Sequence, residues 1–245
     1  LSYTAKMKKT QYYVRKTHRV FSYLLFLQLM AWILGGATFA LVPFDSLVKG
    51  GAVVTLPESP PLPASWVDSL AIAVTDADSP HEVVTVASSQ GALAGLKRPA
   101  GTTWVSLEDG QLASKPDSGQ ISTYAQELYA GDGVLTGARF IEQTEARYFG
   151  LVDELYGRTG VWQASFSDFQ NTRLSFDGDT GRYLTVRNDF WVFYDAMWRL
   201  HIMDYRGGED FNNLLLRATV LLTMGFLLSG LVLMSYSIRR YLASR

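Results

Sequence analysis

Two uninterrupted apolar runs bracket this chain, and every carboxylate side chain lies between them. The first extends from Phe21 to Val42 and the second from Ala218 to Ile238, both free of charged residues. Runs of about 20 apolar residues match, as helices, the roughly 30 Å hydrocarbon core of a bilayer. All 23 Asp and Glu residues fall between Asp45 and Asp210. Outside the runs stand only bases: Lys6, Lys8, Lys9, Arg15, Lys16 and Arg19 before the first, Arg239, Arg240 and Arg245 after the second. Bases mark the cytoplasmic ends of spanning helices. The expectation is a multi-pass membrane protein with both termini cytoplasmic and one large domain on the opposite side.

The formal net charge of −1 conceals this polarity. Residues 45–212 carry 12 Lys and Arg against all 23 acids, a net charge of −11. Phosphate backbones require a basic surface, so a nucleic-acid partner on that side is excluded. The basic tails suit anionic headgroups, making the lipid bilayer the first expected partner. There is no cysteine, which removes disulfides, thiolate metal sites and cysteine nucleophiles. The first run exceeds the 7–15-residue apolar core of a signal sequence, so a retained anchor is expected, although Thr38-Phe39-Ala40 offers small residues at cleavage positions.

Hydrophobic periodicity divides the chain into a basic N-terminus (1–20), a first span (21–43), an α+β domain with antiparallel sheets (44–187), an interfacial aromatic helix and linker (188–212), a second span (213–238) and a basic tail (239–245). Pro57, Pro60, Pro61 and Pro63 read as an extended linker. Within the domain, a helix at 64–74 and a β-branched strand at Glu82–Ser88 precede a hairpin turning at Glu108-Asp109-Gly110. A helix at 118–129 follows, with Ile121, Tyr124, Ala125 and Leu128 on one face, and then strands near 160–166, 172–176 and 182–187. A short helix followed by strands thus occurs twice. In residues 188–204, Phe190, Phe193, Tyr194, Met197, Trp198 and His201 share a helical face, while Asp195 and Arg199 pair at i,i+4.

Small residues mark a candidate packing surface on the spans: Ala31, Gly35, Gly36 and Ala40 on the first, Gly225 and Ser229 on the second. Two packed spans and a docking face for another membrane subunit or a second copy are both compatible with them. Gln28, inside the first run, requires a hydrogen-bond partner.

Three histidines occur, His18, His81 and His201. His81 follows Ser79-Pro80 in a turn. Imidazole ligates haem, which makes His18 and His201 candidate haem b ligands. The plainer readings are an interfacial residue among bases for His18 and a packed aromatic-helix residue for His201. The first span separates the two by roughly 30 Å, so one chain cannot clamp one haem between them. The turn Asp177-Gly178-Asp179-Thr180-Gly181 lacks a twelfth-position glutamate, because Asn188 stands there, and reads as a hairpin rather than a calcium loop. Asp76 and Asp78 read as turn residues, and the pairs Glu108-Asp109, Asp153-Glu154 and Glu209-Asp210 as polar loops. No nucleophile elbow, phosphate loop or dinucleotide fingerprint is visible, so no catalytic residue and no metal site is expected.

Three segments together resemble the PepSY-associated transmembrane protein family. These are Arg15-Lys16-Thr17-His18-Arg19 leading into Gly35-Gly36, Phe176 to Leu184 around the Asp/Gly turn, and Trp198-Arg199-Leu200-His201-Ile202-Met203-Asp204-Tyr205 before the second span. The resemblance covers both ends and the later third of the loop. It implies a bacterial inner-membrane protein with a periplasmic PepSY-like domain. Larger members, with four or more spans, include haem-bearing ferric-siderophore reductases; soluble PepSY modules are similar to inhibitory propeptides of metalloproteases. Two spans are too few for a complete transmembrane haem pathway. The implied function is a membrane-anchored accessory or binding subunit, or alternatively a haem-b-binding electron-transfer subunit of a larger respiratory or ferric-reductase-like complex.

Overall fold

The computed structural model describes residues 3–45, 53–56, 62–74 and 79–244. The Asp76 and Asp78 turn and most of the proline linker lie outside the described residues. The chain is α+β, with a long apolar helix toward each terminus and two antiparallel sheets between. Packing divides it into two units: Leu1–Leu41 with Asp195–Arg245, and Val42–Tyr194.

In the first unit, α1 (Tyr3–Leu41) and α6 (Leu214–Ala243) are each long and apolar enough to cross a membrane, with mean hydropathy of 1.9 and 2.0 in their most apolar stretches. Their contacts run antiparallel, since His18 meets Ser229 while Phe21 meets Gly225. Asn213 caps α6, its side-chain oxygen accepting from the Leu216 amide at 2.8 Å. Before it, Asp204 accepts backbone N–H bonds from Arg206, Gly207, Glu209 and Asp210. These donors, Asp210 foremost, hold its carboxyl well below the usual range and fix the reversal into α6.

The second unit contains two helix-on-sheet layers. α2 (Trp66–Ala73) covers the meander β1 (Glu82–Ser88), β2 (Gly91–Arg98) and β3 (Gly101–Ser106), where Leu70, Ala73 and Val74 pack on Ala92, Ala94, Leu96, Val105 and Leu107. α3 (Ser118–Leu128) covers the meander β4 (Leu135–Gln143), β5 (Thr159–Phe166), β6 (Arg173–Asp177) and β7 (Tyr183–Arg187). The expected face of α3 is the buried one, and it meets Ala164, Phe166, Leu174, Phe176 and Val186. A capping box starts this helix: the Asp117 side chain accepts from the Gly119 and Gln120 amides, and Gln120 accepts from the Asp117 amide.

Two strands are absent from the sequence-based expectation. β2 reads GALAGLKR, poor in β-branched residues, yet it is the central and most buried strand of its sheet. Small residues are required there, because a Cβ at Gly95 would stand 2.7 Å from the Trp104 ring. β4 is an edge strand with a bulge at Leu135/Gly137, which breaks its alternation. Between β4 and β5, the turn α4 (Arg147–Gly150) places Tyr148 (φ 51°) and Phe149 (φ 58°) in left-handed conformations.

α5 (Asp189–Ile202) sets part of its expected aromatic face against α1, where Trp198 and His201 meet the Phe39 ring. Its buried stripe is Trp191, Val192, Asp195, Ala196, Arg199 and Ile202, while Phe193 on the expected apolar face is 42% exposed. The reason is the Arg199–Asp195 pair, joined at 2.6 Å and buried rather than solvated.

Phe176→Ala is expected to destabilise the chain by about 3–5 kcal/mol through cavity formation, against about 1 kcal/mol for Asp117→Ala at the helix cap. Urea unfolding followed by tryptophan fluorescence in detergent reads both, and equal losses would show that α3 is held by its cap rather than by its buried face.

Candidate functional site

In the first unit, aromatic rings enter gaps left by glycines. The Phe21 ring occupies the space at Gly225, where a Cβ would stand 2.8 Å from it. His18 lies at Gly230, stacks on Phe226 with ring centroids 4.4 Å apart, and places Nδ1 2.9 Å from Ser229 Oγ. His201 lies at Gly35, where a Cβ would stand 3.3 Å from Nδ1, with the Phe39 ring 5.4 Å and the Trp32 ring 6.3 Å away. Gly36 has nothing within 4 Å, Ala31 is half-buried and Ala40 is exposed. The small residues named from sequence therefore separate: Gly35 receives a ring of α5, Gly225 receives one of α1, Ser229 binds His18, and Gly36 and Ala40 take no part in these contacts.

The same region satisfies the last carbonyls of α5, which lack intrahelical donors. Gln28 donates to Leu200 O at 3.0 Å, Trp32 Nε1 to His201 O at 2.7 Å and Asn213 to Ile202 O at 3.0 Å. Gln28 thus finds its partner in a helix end. His201 Nδ1 itself is buried with no partner among the described residues.

His18 and His201 stand apart in the first unit. His18 and the Gly35 gap that holds His201 are 17 positions apart on α1, about 25 Å at 1.5 Å per residue. Ser229 engages one nitrogen of His18, and the Gly35 backbone closes over one nitrogen of His201. Among the described residues no group of three or more His, Cys, Asp or Glu gathers as a metal set.

The second unit holds an ion cluster. Arg173 binds Glu154 bidentately, Nε to Oε2 and Nη2 to Oε1, both at 3.0 Å. Its Nη1 meets Asp189 at 3.0 Å, and Arg147 Nη1 bridges Glu154 and Asp189, each at 3.0 Å. Asn171 donates to Asp189 at 2.7 Å. Burial opposes charge on Asp189, but Asn171 and the two guanidiniums outweigh it and hold the carboxyl below its usual range. Glu154, expected in a polar loop, is instead buried between arginines that the sequence does not place beside it. Asn188, fully buried, caps α5 by accepting from the Trp191 amide at 2.7 Å. With two arginines on two carboxylates, the cluster is an internal clamp rather than an acid–base pair. In the Asp177–Gly181 turn, the Asp177 carboxylate accepts from the Asp179 and Thr180 amides and from the Thr180 hydroxyl, so its donors are internal.

A cleft of about 750 Å³ opens in the second unit. Gln120, Thr123, Tyr124 and Glu127 of α3 line one wall, and Ser88 at the end of β1 with Ser89 of the following turn line another. Burial, and next the Glu127 carboxylate, raise the Tyr124 phenol above its ordinary value. Ser89 Oγ is buried without a partner among the described residues. Its wall residues come from separate segments, so no local motif signals it. The cleft offers hydroxyls, an amide and one carboxylate, but no histidine and no nucleophile–base pair. Compared with protein-family models, characterised proteins and solved structures, the chain shows no match.

Gly35→Leu is expected to cost about 1–3 kcal/mol by driving His201 out of its gap, and Gly36→Leu to be near neutral; melting in detergent separates them, and equal losses would place both glycines in a common interface. Glu154→Gln should destabilise by about 3–5 kcal/mol, since it leaves buried guanidinium charge uncompensated. The Asp189 contribution is complete above its unfolded value of about 4 and is lost as pH falls through its lower folded value. Asp189→Asn should therefore flatten the acid limb of a stability–pH profile; an unchanged limb would remove Asp189 from the clamp.

Proposed function

We propose that the chain is a membrane-anchored, non-catalytic accessory or binding subunit of PepSY type. Its α+β unit lies on the periplasmic side of a bacterial inner membrane and docks a protein partner at the α3 cleft. The observation that carries this reading is the pairing of two acid-free apolar helices around an intervening stretch of chain that holds every carboxylate side chain. Of their most apolar stretches only 11% and 6% is buried, so these surfaces call for lipid rather than water. A helix over an antiparallel meander, formed twice, supports the PepSY comparison. The cleft supports binding rather than catalysis, through polar groups that recognise without reacting.

Single cysteines at Ser118 and Ser244 test the orientation in a chain with no native thiol. An impermeant maleimide should label the first and spare the second in cells with a permeabilised outer membrane; the reverse pattern overturns the topology. A photo-crosslinker at Thr123, on the cleft, should capture a partner that the same group at exposed Asp179 does not. Capture equal at both positions would remove the cleft as the docking face.

A further inference from the structure

We propose that the basic ends of α1 and α6 form a binding site for a phosphate group, supplied by the headgroup of an anionic phospholipid. A cleft of about 400 Å³ opens between the two helices there, lined by Gln11 and Arg15 of α1 and by Tyr236, Ser237, Arg239 and Arg240 of α6. Three guanidiniums border one cavity. Neither helix contains an Asp or Glu, so neither supplies a carboxylate to neutralise them. Gathered cations repel one another unless an anion sits among them. Guanidinium forks fit phosphate oxygens bidentately. The Gln11 amide and Ser237 hydroxyl add neutral donors, and the Tyr236 ring suits the headgroup level.

The arginines come from both helices, so an anion held there joins α1 to α6. The site lies where Arg15 precedes one apolar run and Arg239 and Arg240 follow the other. That level is the headgroup layer, where basic pockets between spanning helices hold anionic lipid. The inference rests on the membrane-spanning reading above. A zwitterionic headgroup brings its own cation and suits the cavity less well. Free phosphate would meet the same donors without the lipid.

The full chain in a non-ionic detergent is offered phosphatidylglycerol or phosphatidylcholine, and bound lipid is counted by native mass spectrometry. Phosphatidylglycerol should be retained preferentially, with the preference falling roughly five-fold per arginine removed in Arg15→Gln, Arg239→Gln and Arg240→Gln. Lys16→Gln/Arg19→Gln removes two charges at the same end but outside the cleft, and should keep the preference. An equal loss per charge in that control, or equal retention of both lipids by the unaltered chain, overturns the site. Displacement of phosphatidylglycerol by millimolar inorganic phosphate overturns the lipid source while retaining the phosphate chemistry. Release of the chain from membranes by alkaline carbonate would refute the spanning reading itself. An integral chain without lipid preference refutes this inference alone.

Discussion

The first unit depends on a steric constraint: a ring can lie against a helix backbone only where a side chain is missing. Phe21 at Gly225, His18 at Gly230 and His201 at Gly35 are three cases of that one rule. In lipid, apolar helices gain nothing from hiding oily surface from each other, so close packing and hydrogen bonds must hold them. The glycines allow the first, and His18 with Ser229, Gln28 with Leu200 and Trp32 with His201 supply the second. Both helices are free of acid, and each is long and apolar enough to cross a membrane. A carboxylate within a membrane-spanning helix is costly.

The second unit is organised differently, by charge inside rather than charge excluded. Arg173 and Glu154 are both nearly buried, and Arg147, Asp189 and Asn171 complete their coordination. The clamp ties β6 and the α4 turn to the first residue of α5. Its bonds are directional, which gives the region one arrangement rather than several of similar energy. On the opposite face of the same sheet, α3 makes an ordinary apolar layer.

What could be read in the sequence was what repeats with a period or a sign. The membrane-length runs, the buried face of α3 and the bounds of β1 follow from spacing and charge alone. β2 escaped because its glycines and alanines answer to the Trp104 ring, which reaches it from the neighbouring strand. The inner face of α5 is not set by apolar spacing alone, because Asp195 and Arg199 neutralise one another inside. Glu154 reads as a polar-loop residue because the arginines that bury it come from distant segments. Of the candidate sites, the histidines and small residues were visible as residue types, but which ring meets which glycine depends on how the helices pair. The α3 cleft was not legible, because its walls meet only in three dimensions.

Every strand in both sheets pairs only with strands adjacent in sequence, and the helix over each sheet immediately precedes its meander or its first turns. Such local wiring makes early assembly rapid, because little chain must be closed into loops before contacts form. Both sheets can mature while the ribosome is still making α6. α1 has no such option: Phe21 and His18 wait for glycines more than 200 positions downstream. The meeting of α1 and α6 is therefore the late event in biogenesis, and a chain stalled before it carries a finished α+β unit and a first helix whose Phe21 and His18 rings are still bare.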